Sequence, residues 1–384
     1  MKEKDIRKGL VEILGAAVNG RIKEPALAQK IPLEDLVHIY RLAKRHDLAH
    51  TVSRFVYNNG IEVDEGLMSL LRGEEYTVIY RHEQMKYAYG QICSAFEEEK
   101  IPYVPLKGSV IRGFYPDETM RTSCDIDILV REEDLDRAIE CLAARGYRCG
   151  QKHYHDVSLY SPGDVHLELH FNIQEFTDSL DVILKDAWEH ASPTEGYRYD
   201  FSKEFFVYYI YAHMAYHFVG GGCGIRPLMD IWVMEHRANL PYTCAEQLLK
   251  KAGIYKFAED MSKFANICFS GGEEDEFFNT VMSYICYGGV YGNMGNKLAA
   301  YKSKDKGSFA YLMERIFLPY RAMTVLYPIL KKHPYLLPFC WVARWVKALF
   351  RGKTRGLVQE MTYSNAISEQ RVAEVKDMLM QLGL

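Results

Sequence analysis

An α+β protein, with a small mixed-sheet core flanked by N-terminal and C-terminal helical regions, is what this 384-residue sequence predicts. Three observations carry that expectation. Residues 1–98 show helical periodicity and no strand pattern. Residues 99–195 alternate short β-type runs with one clear helix. From about residue 200 the helical texture returns.

In the N-terminal region, Ile6, Leu10, Ile13, Leu14 and Ala17 recur at helical spacing, and Glu3, Asp5 and Glu12 make this stretch a poor leader peptide. Asn58-Asn59-Gly60 is a stop signal, followed by a long periodic stretch from Leu67 to Phe96. In the central region, Ile101 to Leu106 reads as an edge-like strand with two prolines, leading into Lys107-Gly108-Ser109 and a helix beginning near Val110. Asp125 to Val130 (DIDILV) alternates and then turns apolar. Leu135, Ala138, Ile139, Leu142 and Ala143 share one helical face, with Gly146 at the C-terminal cap position. His153–Tyr160 and Val165–Phe171 alternate across Ser161-Pro162-Gly163-Asp164, a strong hairpin signal. In the C-terminal region, Phe205 to Phe218 is apolar nearly all round and reads as a buried helix, ended by Gly220-Gly221-Gly222. Pro227 fits the first turn of the next helix.

Composition narrows the class. An apolar content of 48% with 26% charged residues is ordinary for a folded globular chain and excludes wholesale disorder. A net charge of −4 argues against a whole-molecule basic surface for duplex nucleic acid, so nucleic acid is not an expected partner. Nine cysteines without a CxxC pair read as reduced thiols in a cytoplasmic protein. No uncharged apolar run reaches the roughly 18 residues of a spanning helix. Tyr335 to Phe350 comes closest and is interrupted by Arg344 and Lys347.

The chemistry concentrates in the central region. Residues two apart on a strand share a face, so Asp125 and Asp127 point one way while Ile126 and Ile128 point into the core. Adjacent carboxylates repel and raise each other's pKa unless a cation intervenes. Magnesium, a hard ion that takes oxygen ligands, suits such a pair where phosphates are also bound. In Val165–Phe171 the polar face presents Glu168 between His166 and His170, so Glu168 is a candidate third ligand if this strand lies beside DIDILV. The two histidines read as partly exposed neighbours, since zinc needs a fuller ligand set. Gly108 and Ser109 fall between a strand and a helix, where backbone N–H groups can hold phosphate oxygens, and Lys107 and Arg121 can add charge. The plainer readings are a solvated Lys107, an ion-paired Arg121 and an ordinary surface Glu168.

At these residues the sequence resembles a known group. Leu106-Lys107-Gly108-Ser109, then Arg121 to Val130 (RTSCDIDILV), Gly146-Tyr147 and Leu167-Glu168-Leu169-His170 are similar to the uncharacterised bacterial nucleotidyltransferase family of the polymerase-β-like superfamily. The likeness is strongest over 101–172 and continues through His213, His217, Arg226 and Asp230. It implies a nucleotidyltransferase core with two Mg²⁺ ions held by Asp125 and Asp127, with Glu168 completing one site and helping to deprotonate the acceptor. Gly108 and Ser109 would bind the triphosphate of a nucleoside triphosphate, with ATP the expected donor of AMP. One departure stands out: fifteen residues, Val110 to Cys124, separate Gly-Ser from Asp125.

Outside this region, His213 and His217 lie one helical turn apart and read as core histidines bonded to neighbours, with a metal pair as the sharper alternative. Arg226 and Asp230 read as an i,i+4 ion pair, with contact to a nucleotide as the sharper alternative. Residues 344–355 hold five basic groups and no acidic one, interleaved with Trp345 and Phe350. This segment reads as a solvated basic helix face, or else as a surface for a membrane, RNA or an acidic acceptor. Three functions compete: a Mg²⁺-dependent nucleotidyltransferase acting on a small molecule or protein, a binding or regulatory protein of the same fold without turnover, and a template-independent RNA-end modifier using the basic segment, which the mild net charge disfavours.

Overall fold

Asp64 accepts a hydrogen bond from the Leu67 N–H at 3.0 Å and so caps a helix of 34 residues, Glu65–Glu98. Its buried positions Leu67, Leu71, Val78, Met85, Ala88, Ile92, Ala95 and Phe96 recur three, four or seven apart, so one face is apolar. This helix leads from a cluster of N-terminal helices to the sheet. It belongs to a computed structural model describing residues 3–175, 177–290, 292–303, 308–350, 362 and 366–384.

Ahead of it lie α1 (Glu3–Val18), α2 (Leu33–Arg45) and α3 (Ala49–Asn58); the long helix is α4. The sheet has seven strands: β1 (Tyr103–Pro105), β2 (Asp125–Val130), β3 (Arg148–Lys152), β4 (Asp156–Tyr160), β5 (His166–His170), β6 (Ala191–Glu195) and β7 (Arg198–Phe201). Their order is β3-β4-β5-β2-β1-β7-β6. It is a mixed sheet, with β2/β5 and β1/β7 parallel and the remaining pairs antiparallel. DIDILV is the central strand. Between β1 and β2 comes a short helix α5 (Gly108–Ile111), and after β2 comes α6 (Leu135–Ala143).

Each sheet face has its own core. Ile126, Ile128 and Val130 join Val157, Leu159, Leu167 and Leu169 against the second half of α4 and the apolar face of α6. Leu129, on the same face as Asp127, belongs to the larger core. That core takes in the N-terminal helices together with α7 (Lys203–Val219), α8 (Arg226–His236) and α9 (Tyr255–Ser270). α7 buries Phe205, Tyr208, Tyr209, Tyr211 and Phe218, as its all-round apolar sequence predicts. The helices before and after the sheet therefore share one interior.

Two β features escape the sequence pattern. β3 (RCGQK) is exposed throughout and carries no alternation. The β6–β7 hairpin runs on past residue 195 to Phe201, turning at Gly196 with φ of 57°. Its Tyr103 N–H to Tyr197 C=O bond, at 3.1 Å, ties it to β1. Pro193 and its charged residues hide it from a periodicity reading.

Candidate active site

The parallel register of β2 and β5 sets Asp127 opposite Glu168 and Asp125 opposite His166. Acidic groups from two strands are thus brought to one face. An oxygen each of Asp125 and Glu168 and a ring nitrogen of His166 lie within 4.8 Å of one another, as do atoms of Asp127, Glu168 and His170. Glu168 is common to both sets.

Charge around Asp127 is balanced by neighbours. The Lys107 ammonium lies 3.5 Å and His170 Nε2 3.0 Å from its Oδ1. Burial works against ionisation of Asp127, but Lys107 and His170 hold its pKa far below the ordinary carboxylate range. Burial likewise works against the His170 cation, yet its bonds to Asp127 and Glu168 push it up to about 9. Asp125 is the opposite case. Burial first, then the Asp127 and Glu168 carboxylates, push it up to about 6. Asp125 and Asp127 each share Glu168 in a set completed by a histidine, and a carboxyl under such repulsion is what a hard divalent cation relieves, so these donors would suit magnesium or a similar ion. His166 Nε2 is bonded to Ser158 Oγ at 3.0 Å, and its ring stacks on Tyr160.

Lys107 is not a solvated surface residue. Its φ of 38° is a backbone state few non-glycine residues adopt, and it turns the half-buried side chain onto Asp127. The turn sits where the sequence places it: Leu106 N–H donates to Asp127 C=O at 3.1 Å, so Gly108 and Ser109 follow directly from the aspartate ladder. The Ser109, Val110 and Ile111 N–H groups donate to Leu106 and Lys107 carbonyls within the turn. The Ser109 hydroxyl has no hydrogen-bond partner among the described residues.

Arg121 serves another purpose. It forks onto Asp230 with bonds of 3.2 and 2.9 Å, and Tyr115 donates its hydroxyl to the same carboxylate at 2.7 Å. Its Nη1 would stand 2.8 Å from a Cβ at position 108, so any larger residue there must displace the guanidinium. The fifteen-residue spacer is used to bury Tyr115 and Met120 and to deliver this arginine. The expected Arg226–Asp230 pair does not form. Asp230 is taken by Arg121, and Arg226 donates to Thr122 C=O at 2.8 Å and approaches Asp47 at 3.8 Å. Same-turn spacing lost to a partner from the sheet region.

A cavity of about 270 Å³ opens beside Lys107, Glu168 and His170. His213 and His217 line it, facing each other at 4.3 Å between ring centroids. His213 Nδ1 is bonded to Glu175 Oε1 at 2.8 Å. Against burial, that bond and the His213 charge hold Glu175 down to about 2. Burial, with Lys107 nearby, lowers His213, and burial with His213 lowers His217 to about 3. His213 is therefore bonded to a neighbour, as expected, whereas His217 is exposed with no side-chain hydrogen bond among the described residues, and both face the cavity. Glu175, in the loop after β5, had no periodic signal to announce it.

Residues 32–270, more than half of the sequence, match a family described as uncharacterised nucleotidyltransferase. The chain belongs to that family. The match spans α2 through α9, so the acidic cluster, the Arg121–Asp230 clamp and the histidine-lined cavity of this nucleotidyltransferase all fall inside it. No curated protein and no solved structure matches the chain.

Proposed function

We propose that this chain is a Mg²⁺-dependent nucleotidyltransferase of polymerase-β-like fold, moving AMP from ATP to a hydroxyl-bearing small molecule or protein. The approach of Glu168 to both Asp125 and Asp127 from the paired strand, in two sets that share it, supports the reading. These three side chains would hold the metal. When bound, two magnesium ions stabilise charge on the attacking and leaving oxygens of an in-line displacement. Glu168, at the cavity wall, takes the proton of the acceptor hydroxyl. The new bond joins that oxygen to the α-phosphorus, and the bond to the β-phosphate oxygen breaks to release pyrophosphate. Lys107 and His170 fix the Asp127 carboxylate in place. Ser109 offers its hydroxyl to the triphosphate, and the cavity receives the acceptor, whose identity rests on pocket shape.

Incubation with α-labelled ATP, magnesium and cell extract tests the proposal. Label is expected in a product distinct from free AMP, with pyrophosphate released and both lost in Asp125→Ala and Asp127→Ala. One observation favours a second reading, a nucleotide-binding regulator without turnover: Lys107 and His170 already neutralise Asp127. Saturable ATP binding with no pyrophosphate in any extract decides for that reading.

A further inference from the structure

From Arg315 to Phe350 the sequence contains six Lys and Arg residues and no Asp or Glu. A random surface of mixed charge does not look like this. Within it, helix α10 (Leu337–Phe350) and the turns before it fold over a small core of their own, made by Met323, Leu330 and Cys340. Trp341 and Trp345 face inward, their indole N–H groups donating to Leu318 and Ile316 carbonyls at 2.9 and 2.8 Å. Arg344 donates to the Ile316 carbonyl at 3.1 Å and closes the same face.

The outer face is apolar where solvent would call for polar groups. Phe339 is 71%, Val342 52% and Val346 44% exposed, and Tyr335, one turn earlier, is 71% exposed. Positions 335, 339, 342 and 346 follow i, i+4, i+7, i+11, a single stripe along the segment. Lys331, Lys332 and Lys347 are exposed beside it. At about 1.5 Å per residue the fourteen residues of α10 reach about 21 Å, short of a bilayer's hydrocarbon thickness of about 30 Å. No helix among the described residues is long and apolar enough to cross a membrane.

We infer that this segment docks the protein on the surface of an anionic membrane. An apolar stripe sinks into the acyl boundary, and Lys331, Lys332 and Lys347 meet lipid phosphates; these are the two terms interfacial helices use. Nucleic acid would account for the charge but leave the exposed Phe339–Val346 stripe in water. A second copy of the chain would cover the stripe but bring two acid-free basic surfaces together. The charge of the surface therefore selects lipid.

Co-sedimentation of the full chain with vesicles decides the matter. Vesicles of phosphatidylcholine containing about one third phosphatidylglycerol are expected to bind at least about tenfold more tightly than phosphatidylcholine alone, with the difference shrinking in high salt. Phe339→Ser/Val342→Ser, both exposed and outside the proposed active site, should lower binding about tenfold or more while leaving the melting temperature unchanged. Lys331→Glu/Lys332→Glu should erase the preference for phosphatidylglycerol. Failure of the wild-type chain to sediment with the anionic vesicles at low salt overturns the inference. So does binding that Phe339→Ser/Val342→Ser leaves intact, displacement of the vesicles by single-stranded polynucleotide, or a dimer that this double variant dissolves without any vesicle binding.

Discussion

On one side of the Lys107–Gly108 turn, Arg121 and Asp230 form a buried pair in which the Tyr115 hydroxyl and Thr122 carbonyl complete the bonding. Only about 20 Å³ of open space adjoins the guanidinium. On the other side, Lys107 and His170 meet Asp127, and there the balance fails: Asp125 adds a carboxyl to the acidic cluster, and Glu168 and Glu175 line a cavity of about 270 Å³. Both networks tie the sheet region to its surroundings. A closed, charge-matched pair sets position, whereas surplus negative charge next to open space marks where a cation and substrate belong.

Substitutions can break this contrast, and the largest effect belongs to the open network. Asp125→Asn is expected to lower nucleotide transfer about a thousandfold, as loss of a transition-state contact does. It should not lower the melting temperature, because it relieves repulsion from Asp127 and Glu168. A parallel fall in stability and activity would class Asp125 with the clamp. Next comes Arg121→Ala, which should cost about 3 kcal/mol or more in urea unfolding by leaving Asp230 buried and unpaired. Stability unchanged, with a raised KM for ATP, would make Arg121 a phosphate ligand instead.

Acid should act on both sides of the turn. His46 and His50 are lowered to about 4 from an ordinary 6.5, by burial above all, so the folded state prefers them neutral. Their contribution is fully present above about pH 6.5 and is lost as pH falls toward 4, on the order of 2–3 kcal/mol each. Glu175, held down to about 2 from 4.5 by His213 despite burial, contributes above about pH 4.5 and loses that contribution toward pH 2. Urea midpoints measured from pH 7 to 4 should fall, and His50→Gln should reduce the slope by one proton. An unaltered slope means His50 is not neutral in the fold. The smallest effect is Gly108→Ala, about 1–2 kcal/mol through its clash with Arg121, and it should vanish in an Arg121→Ala background.

Legibility in the sequence followed the range of the forces involved. DIDILV, the helix 135–143 and the long helix ending at Glu98 carry their own periodicity, so local pattern sufficed. The pairing of Asp127 with Glu168 needed only the guess that two strands were neighbours. By contrast, β6 and β7 are held by β1 from across the chain, and Asp230 chose Arg121 over its helical neighbour Arg226. Glu175 acquires meaning only when α7 brings His213 to it. The segment 344–355 is described only to Phe350; Arg351, Lys353 and Arg355 lie outside the described residues.

Helix α1 rests on α9, with Asn19 Nδ2 donating to the Phe269 carbonyl at 2.8 Å. For a chain leaving a ribosome, α1 can pack early on α2 and α3, but its side facing α9 has no partner until about 250 further residues have followed. At about 5–20 residues per second that is a wait of ~12–50 s. Throughout it, the side of α1 around Gly15, which packs on Cys268 and Phe269, remains open to wrong associations, so newly made protein gains from a chaperone until α9 is made.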